Sequence, residues 1–307
     1  MRKLSEGRRM WVSVMVIFVI YAAIIILFGD YDRKASIPLD EASDWHLLLF
    51  SVVVMAGLGW LLFGYARRMD ERISREQQEK QNQMRRELTQ NIAHELKTPV
   101  ASILGYTDTI LETPDIPEKI KNQFIARTNA QARRLSALLQ DISMLNKMDY
   151  APNLLRYERV DISAMVADII LESEQALARA HMTFKNYLPE NISIQGNWQL
   201  LYGIFRNLTD NAINYAGGSC IELSAEKLTD GWRFTFSDNG IGVAPKHLPR
   251  IFERFYRVDE GRSRSMGGTG LGLSIVKNAV ILHDGHISAS NNKNGGLRFD
   301  FTLRSKL

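Results

Sequence analysis

Two stretches of this chain, Trp11 to Phe28 and Leu47 to Tyr65, carry no charged residue over roughly 18 and 19 positions, about what an α-helix needs to cross the hydrocarbon core of a bilayer. Lipid offers no partner for backbone N–H and C=O groups, so such segments must form helices that bond internally. The first run is too long for the apolar core of a signal peptide, and no small-residue cleavage site follows it. Two membrane spans are therefore predicted, at 11–28 and 47–65. Arg2, Lys3, Arg8 and Arg9 precede the first, and Arg67, Arg68 and Arg72 follow the second. The segment between them carries Asp30, Asp32, Asp40, Glu41 and Asp44 against only Arg33 and Lys34. The positive-inside rule then places residues 1–10 and everything after the second span in the cytoplasm, with a short acidic loop at 29–46 outside. That loop is too short to enclose a core of its own.

The formal net charge of +4 does not indicate nucleic acid as a partner. No basic patch with interleaved aromatics occurs, and topology accounts for the arginines beside the spans. Cys220 is the only cysteine, which excludes an intrachain disulfide. Its strand-like surroundings predict a small buried hydrophobe.

From Ala66 to Leu88 the chain is charged and free of Gly and Pro, with Met69, Ile73, Met84 and Leu88 spaced as a sparse coiled-coil seam. A continuous helix at 66–88 is expected, serving either as a signal element or as a rigid spacer. It runs into Asn91-Ile-Ala-His-Glu-Leu-Lys-Thr-Pro99. A heptad frame there assigns Leu96, Ile103 and Ile110 to one seam position and Ile92, Pro99 and Tyr106 to the other. His94 falls on the opposite side, facing water, with Glu95 adjacent and Thr98 one turn on. Pro99 deletes the hydrogen bond to the Glu95 carbonyl, so a bend is expected in the histidine's own turn. A second helix follows the turn Glu112-Thr-Pro-Asp-Ile-Pro-Glu118, with Ile120, Phe124, Leu135, Leu138, Leu139, Ile142 and Leu145 on its apolar side. Two helices cannot bury both stripes alone. Pairing two chains into a four-helix bundle does, so a homodimer through the hairpin at 84–150 is predicted.

After a linker at Tyr150-Ala-Pro-Asn153, residues 155–307 read as an α/β domain. Periodicity predicts helices near 162–181, 198–216 and 271–284. Strands are predicted near 156–161, 182–188, 192–196, 219–227, 232–238, 286–291 and 297–303. Several strands are consecutive, which favours a mixed sheet covered by helices on one face over a doubly wound fold.

Four motifs in this domain suggest chemistry. Asn207 and Asn211 lie one helical turn apart and could hold a hard cation and its phosphates through oxygen, although such a pair is usually surface decoration. Asp238-Asn-Gly-Ile-Gly242 ends a strand: its carboxylate could accept from an exocyclic amine where Gly240 and Gly242 admit a flat ligand, or the segment is an ordinary turn. Arg254 and Arg257 sit among aromatics and could meet phosphate. Gly267-Gly-Thr-Gly-Leu-Gly272 leads into a helix, an anion site by geometry and dipole, and the stretch from Gly261 to Gly272 reads as a mobile lid. It lacks the Gly-Lys-Ser/Thr ending of a P-loop.

With this order of motifs, the chain over roughly 84–307 resembles the membrane-bound sensor histidine kinases of two-component systems, with some similarity to phosphate-regulon-type sensors. The resemblance implies two membrane helices, a dimeric hairpin bundle and a Bergerat-type ATP-binding α/β sandwich. It implies ATP and Mg2+ as cofactors, with His94 as phosphoacceptor, Glu95 as general base and Thr98 orienting water for dephosphorylation of the partner. Asp238 is then expected at the adenine amine, Asn207 and Asn211 at magnesium, and Tyr215 near the base. Gly240, Gly242, Gly268, Gly270, Leu271 and Gly272 would shape the pocket and lid, with Arg254 or Arg257 approaching the γ-phosphate. A bacterial inner or plasma membrane location and a response-regulator receiver domain as partner are likewise implied.

Three departures from the family pattern stand out. Asn214 occupies a position that is often lysine, leaving one cation fewer near the phosphates. His283-Asp-Gly285 carries an aspartate where a second glycine is usual. No relay domain fits between the second span and the histidine helix, so a signal must pass down 66–88 directly. The small outer loop points to a stimulus within or at the membrane: lipid, a membrane-active compound or a membrane protein. The alternative function is a catalytically weak receptor or scaffold acting as a response-regulator phosphatase. A clamp-chaperone or topoisomerase ATPase shares only the nucleotide fold.

Overall fold

The computed structural model describes residues 41–258, 268–293 and 295–304. The first apolar run, most of the acidic loop and residues 261–267 of the predicted lid at 261–272 lie outside the described residues. The chain divides into two units between Arg86 and Glu87. In the first, helix α1 (Glu41–Glu112) contains one segment long and apolar enough to cross a membrane, Ser51–Glu76. Val53, Trp60, Leu61 and Leu62 are exposed along it. Side chains that bury nothing inside the protein suit a lipid surround.

In the second unit, α1 continues through the histidine turn and pairs with α2 (Glu118–Tyr150). Pro99 does not end the helix. Its ring is buried in the seam, and that packing offsets the roughly 3 kcal/mol that an interior proline costs. Thr98 Oγ1 donates to the His94 carbonyl at 3.3 Å and Ser102 Oγ to the Thr98 carbonyl at 3.1 Å, so hydroxyls serve carbonyls in the same turns. The predicted seam residues Ile92, Leu96, Ile103, Tyr106 and Ile110 are all partly shielded. Tyr106 stacks on Phe124 with ring centroids 5.4 Å apart, and Leu138, Leu145 and Met148 are buried. The turn is closed by bonds from Ile116 N to Thr113 O and from Ile120 N to Pro117 O.

The α/β domain holds two sheets. Strands β1 (Glu158–Asp161) and β3 (Ser193–Gly196) form an antiparallel pair. The main sheet, in order β2-β4-β5-β7-β6, joins β2 (Thr183–Tyr187), β4 (Cys220–Leu228), β5 (Gly231–Asp238), β6 (Ile287–Asn291) and β7 (Leu297–Arg304). Among its described strands only β2 and β4 run parallel. Alternation decides its faces. Phe234, Phe236, Phe299, Phe301 and Leu303 are buried on one side, against helices α3 (Ile162–Arg179), α4 (Trp198–Asn211) and α5 (Gly272–Leu282). On the other side Thr235, Arg298 and Asp300 bond to one another. Phe205 of α4 meets Phe234 and Phe301 at 5.4 and 5.8 Å between ring centroids.

The elements fall close to the expected ones, with two differences. Cys220 is only half-buried, because the register puts it opposite in phase to Ile221 and Leu223, on the solvated face beside Glu222. The helix expected to run to residue 216 is α-helical only to Asn211. A π-helical turn takes Ala212–Ala216 and ends at Gly217 with φ 62°. An extra residue in a turn rotates the chain beyond it, and such bulges recur at functional sites.

His283, which precedes Asp284, has a structural role. Its ring is buried, with Nδ1 at 2.7 Å from the Ala279 carbonyl and Nε2 at 3.1 Å from Asn197 N. The carbonyl needs a donor and the amide an acceptor, which fixes a neutral ring protonated at Nδ1. Asn197 caps α4 through Oδ1 and Leu200 N, so one imidazole ties the start of α4 to the end of α5. Burial holds the His283 pKa below its ordinary value. Between that lowered value and about 6.5 the unfolded chain binds more protons than the folded one. The stabilisation is thus complete above about pH 6.5 and is lost as pH falls towards the lowered value. Thermal midpoints from pH 8 to pH 5 should fall more steeply for the natural chain than for His283→Gln; parallel curves would contradict this.

Candidate functional site

A cavity of about 540 Å³ opens between α4, the π-turn, the end of β5 and the start of α5, within the range of small-molecule sites. At one end lies Asp238, buried at the tip of β5. Its Oδ1 accepts from Gly240 N at 2.9 Å and Leu297 N at 3.2 Å. Burial pushes its pKa above the usual carboxylate range, and those two bonds pull the other way. Among the described residues Oδ2 has no such partner, which leaves it to accept from a ligand. Glycine is required beside it: a Cβ on Gly240 would lie 2.0 Å from the Ala216 carbonyl oxygen. Gly242 holds a left-handed φ of 67°, a conformation costly for other residues.

At the other end is the α5 N-terminus, which no side chain caps. Its first amides therefore face the cavity at Gly272 and Leu273, where an anion is favoured by orphan N–H groups and by the helix dipole. Asn207 donates Nδ2 to the Gly203 carbonyl at 2.7 Å and turns Oδ1 towards this terminus; a Cβ on Gly272 would sit 2.6 Å from that oxygen. Asn211 Nδ2 and Arg257 Nε are buried without a hydrogen-bond partner. Two orphaned donors in one cavity wall suit the oxygen-rich, anionic part of a ligand. No cluster of three His, Cys, Asp or Glu that could hold a metal occurs among the described residues. A cation here would depend on amide oxygens and on the ligand's own oxygens.

Of the sequence-derived candidates, Asn207, Asn211, Tyr215, Asp238, Gly242, Arg257, Gly268, Gly270 and Gly272 line this cavity. Gly240 supports Asp238 from behind, and Leu271 is buried in the core next to the α5 N-terminus. Arg254 turns elsewhere: its Nη2 lies 2.8 Å from Asp149 on α2. Asn214 also lines the cavity. Sequence reasoning missed Asn291 and Asn292. Asn291 clasps Val243 through both backbone groups, at 2.9 and 2.6 Å, and Asn292 Nδ2 donates to the Asp238 carbonyl at 3.1 Å. Nothing in Asn-Asn-Lys-Asn-Gly-Gly separates that duty from an ordinary turn. Gly296 was missed for the same reason, although a Cβ there would lie 1.9 Å from the Asp238 carbonyl oxygen.

His94 is exposed on α1, as is Thr98. Glu95, beside it, is half-buried, and its Oε2 accepts from Arg257 Nη2 at 2.9 Å and lies 3.4 Å from Arg134 Nη2 on α2. Arg257 is only 6% exposed and also donates to the Gly268 carbonyl at 2.7 Å. Thr269 Oγ1 donates to Asp141 of α2 at 2.9 Å and accepts from Leu271 N at 3.2 Å. Burial raises the Asp141 carboxyl, and the threonine bond opposes that. The wall of the cavity and the carboxylate next to the solvent-facing His94 are thus joined through one arginine.

Residues 84–151 match the family described as His Kinase A (phospho-acceptor) domain, and 196–307 match the histidine kinase-, DNA gyrase B- and HSP90-like ATPases. Over these two modules the chain belongs to the sensor histidine kinase family. It is 33% identical over 220 residues to the phosphate regulon sensor protein PhoR of Haemophilus influenzae, covering 71% of this chain and 51% of that protein. The sensor-like histidine kinase SenX3 of Mycobacterium tuberculosis is 33% identical over 220 residues, covering 71% and 53%. The Staphylococcus aureus sensor protein kinase WalK is 32% identical over 231 residues, covering 74% and 55%. The chain therefore spans about half the length of the curated relatives it matches. Among solved structures, the Acinetobacter baumannii histidine kinase AdeS aligns with a TM-score of 0.57 at 24% identity, over 70% of this chain and 98% of that one. The histidine kinase ThkA, in complex with the response regulator protein TrrA, gives a TM-score of 0.57 at 21% identity, over 72% and 61%. At such identities these two show a shared fold.

Proposed function

We propose that this protein is a membrane-anchored histidine kinase that phosphorylates His94 from ATP and passes the phosphoryl group to an aspartate of a response-regulator receiver domain. The observation that carries it is Arg257, which lines the cavity and binds the carboxylate next to His94. Adenine is assigned to the Asp238 end, where Oδ2 accepts from the exocyclic amine and Tyr215 supplies a ring. The triphosphate is assigned to the α5 N-terminus, Asn207, Asn211 and Arg257. Magnesium, held there by amide oxygens of Asn207 and Asn211, would neutralise phosphate charge.

In the transfer, a ring nitrogen of His94 forms a bond to the γ-phosphorus while the bond from that phosphorus to the β–γ bridging oxygen breaks. The electron pair leaves with ADP, and the second ring proton is drawn by Glu95. Little covalent chemistry falls to the protein; positioning and charge do most of it. Thr98, exposed one turn from His94, is assigned the orientation of water in removing phosphate from the receiver, which makes the protein bifunctional.

A homodimer is part of this reading, supported by apolar side chains left in water on the hairpin. Val100, Leu104 and Leu111 on α1 and Ile125 and Leu139 on α2 are 41–79% exposed. Such a stripe is what a second hairpin covers. Both termini are assigned to the cytoplasmic side of a bacterial inner or plasma membrane, with lipid or a membrane protein as the stimulus. Incubated with γ-labelled ATP and Mg2+ in membrane vesicles, the chain should acquire acid-labile, alkali-stable label that a receiver domain removes. Acid-stable label, or none, would overturn the assignment.

A further inference from the structure

Asn207, Asp210, Asn211 and Asn214 all line the cavity, and their spacing of i, i+3, i+4 and i+7 puts them in one row along a helical face. Asn207 Oδ1 turns towards the α5 N-terminus, so the row flanks the place assigned to the phosphates. Asp210 is the one carboxylate in that row. Asp238, the other carboxylate of the wall, serves the adenine end. Arg257 is the only cationic side chain in the wall among the described residues, and Asn214 adds no charge.

Nothing around Asp210 neutralises it fully. Its Oδ2 accepts from Arg206 Nε at 3.0 Å, and among the described residues Oδ1 has no hydrogen-bond partner. Arg206 also binds Glu172 of α3 at 3.2 Å, so one guanidinium serves two carboxylates. The three groups keep a net negative charge at the edge of a site built for anions. As a helix-stabilising i,i+4 bridge between half-exposed side chains, the Arg206–Asp210 pair would contribute little. That role also accounts neither for the unpartnered oxygen nor for its place in the cavity wall.

We propose that Asp210 makes nucleotide binding conditional on a divalent cation: its carboxylate repels the phosphates of a bare nucleotide and faces the metal that bridges them. The inference rests on the nucleotide site assigned above and adds the residue that sets its metal dependence. Like charges side by side in a cavity repel strongly, because little water screens them. A hard cation reverses the sign, since it takes oxygens from a carboxylate and from phosphates together, whereas amide oxygens supply no charge. The site then refuses the metal-free nucleotide and accepts the metal complex. By linkage, bound nucleotide raises the affinity for the cation by the same factor.

The test is calorimetric titration of the full-length chain in lipid nanodiscs with a non-hydrolysable ATP analogue, once in EDTA and once in saturating Mg2+. The ratio of the two Kd values measures the coupling to metal. Asp210→Asn should tighten binding in EDTA by about fivefold or more and weaken it in Mg2+ by a similar factor, the lower end of ordinary coupling between sites. Arg206→Met breaks the same ion pair but keeps the carboxylate. It should weaken binding in EDTA and leave the coupling no smaller. A merely structural role for the pair would move both variants in one direction. Asp210→Asn that fails to tighten binding in EDTA, or that loses the same factor in both solutions, would overturn the proposal, as would an Arg206→Met with reduced coupling. Where circular dichroism shows Asp210→Asn unfolded, Arg206→Met decides by itself. The natural chain is incubated with γ-labelled ATP and Mg2+ alongside. Label on His94 with a coupling that survives Asp210→Asn sinks this proposal alone, whereas a collapsed coupling without label sinks the kinase reading alone.

Discussion

Replacing His94 with glutamine is expected to abolish phosphoryl uptake from ATP while leaving nucleotide binding intact. The side chain is exposed and lies outside the hairpin seam, so the substitution should alter stability by no more than about 0.5 kcal/mol. What is lost is the only proposed nucleophile, and glutamine's amide nitrogen is no substitute because its lone pair is delocalised into the carbonyl. The acid-labile label should fall below detection, at least about a thousandfold, as when a catalytic nucleophile is removed elsewhere. Titration with a fluorescent ATP analogue should give the same Kd as the natural chain, because the cavity is built from α4, β5 and α5. Label surviving on His94→Gln would place the phosphoacceptor elsewhere. Loss of nucleotide binding as well would mean that the substitution had damaged the catalytic module.

Asp238→Asn should do the reverse, eliminating nucleotide binding in a chain that remains folded. Asparagine can still present an oxygen to Gly240 N and Leu297 N, the two bonds that anchor Oδ1. Its NH2 then replaces Oδ2 and opposes another donor, the adenine amine. A charge-assisted bond worth about 1.5–3 kcal/mol is lost, and a buried donor is left unpaired for about 1–3 kcal/mol more. Together these correspond to a weakening of about a hundredfold or more, at 1.4 kcal/mol per decade. The stability prediction has the opposite sign. Burial raises the Asp238 pKa, so the folded chain holds that proton more tightly than the unfolded chain. Between the ordinary value and the raised one, stability therefore falls as pH rises, and at neutral pH the buried charge is a cost. The variant should melt no lower than the natural chain at pH 7, with a flatter pH dependence through the carboxylate range. An unchanged ATP Kd by calorimetry would remove Asp238 from the site.

How much of this could be read without coordinates depends on the range of the interaction involved. The strands of the main sheet and helices α3 to α5 were legible because period-2 and period-3.6 patterns are local consequences of burying one face. His94 could be placed outward because heptad phase is a property of one helix, and the seam around it is indeed the shielded side. The glycines near Asp238 and at the start of α5 could be recognised because backbone approach demands them whatever surrounds them. Cys220 was misjudged because a strand's apolar neighbours do not say which parity faces in; its register against β5 does.

The chain's order of residues therefore determined most of its elements, the arginines that flank its long apolar helix, and most residues of the candidate site, since each depends on neighbours within a turn or two. Only the tertiary structure decided that Arg257 and not Arg254 enters the cavity, and that Asn291 and Asn292 hold the glycine loop from 48 and 54 residues away. It also paired the carboxylate beside His94 with an arginine 162 residues distant. Those choices rest on contacts between segments whose separation along the chain leaves no periodic trace, because a single side chain reaching across space imposes no pattern on its own neighbours.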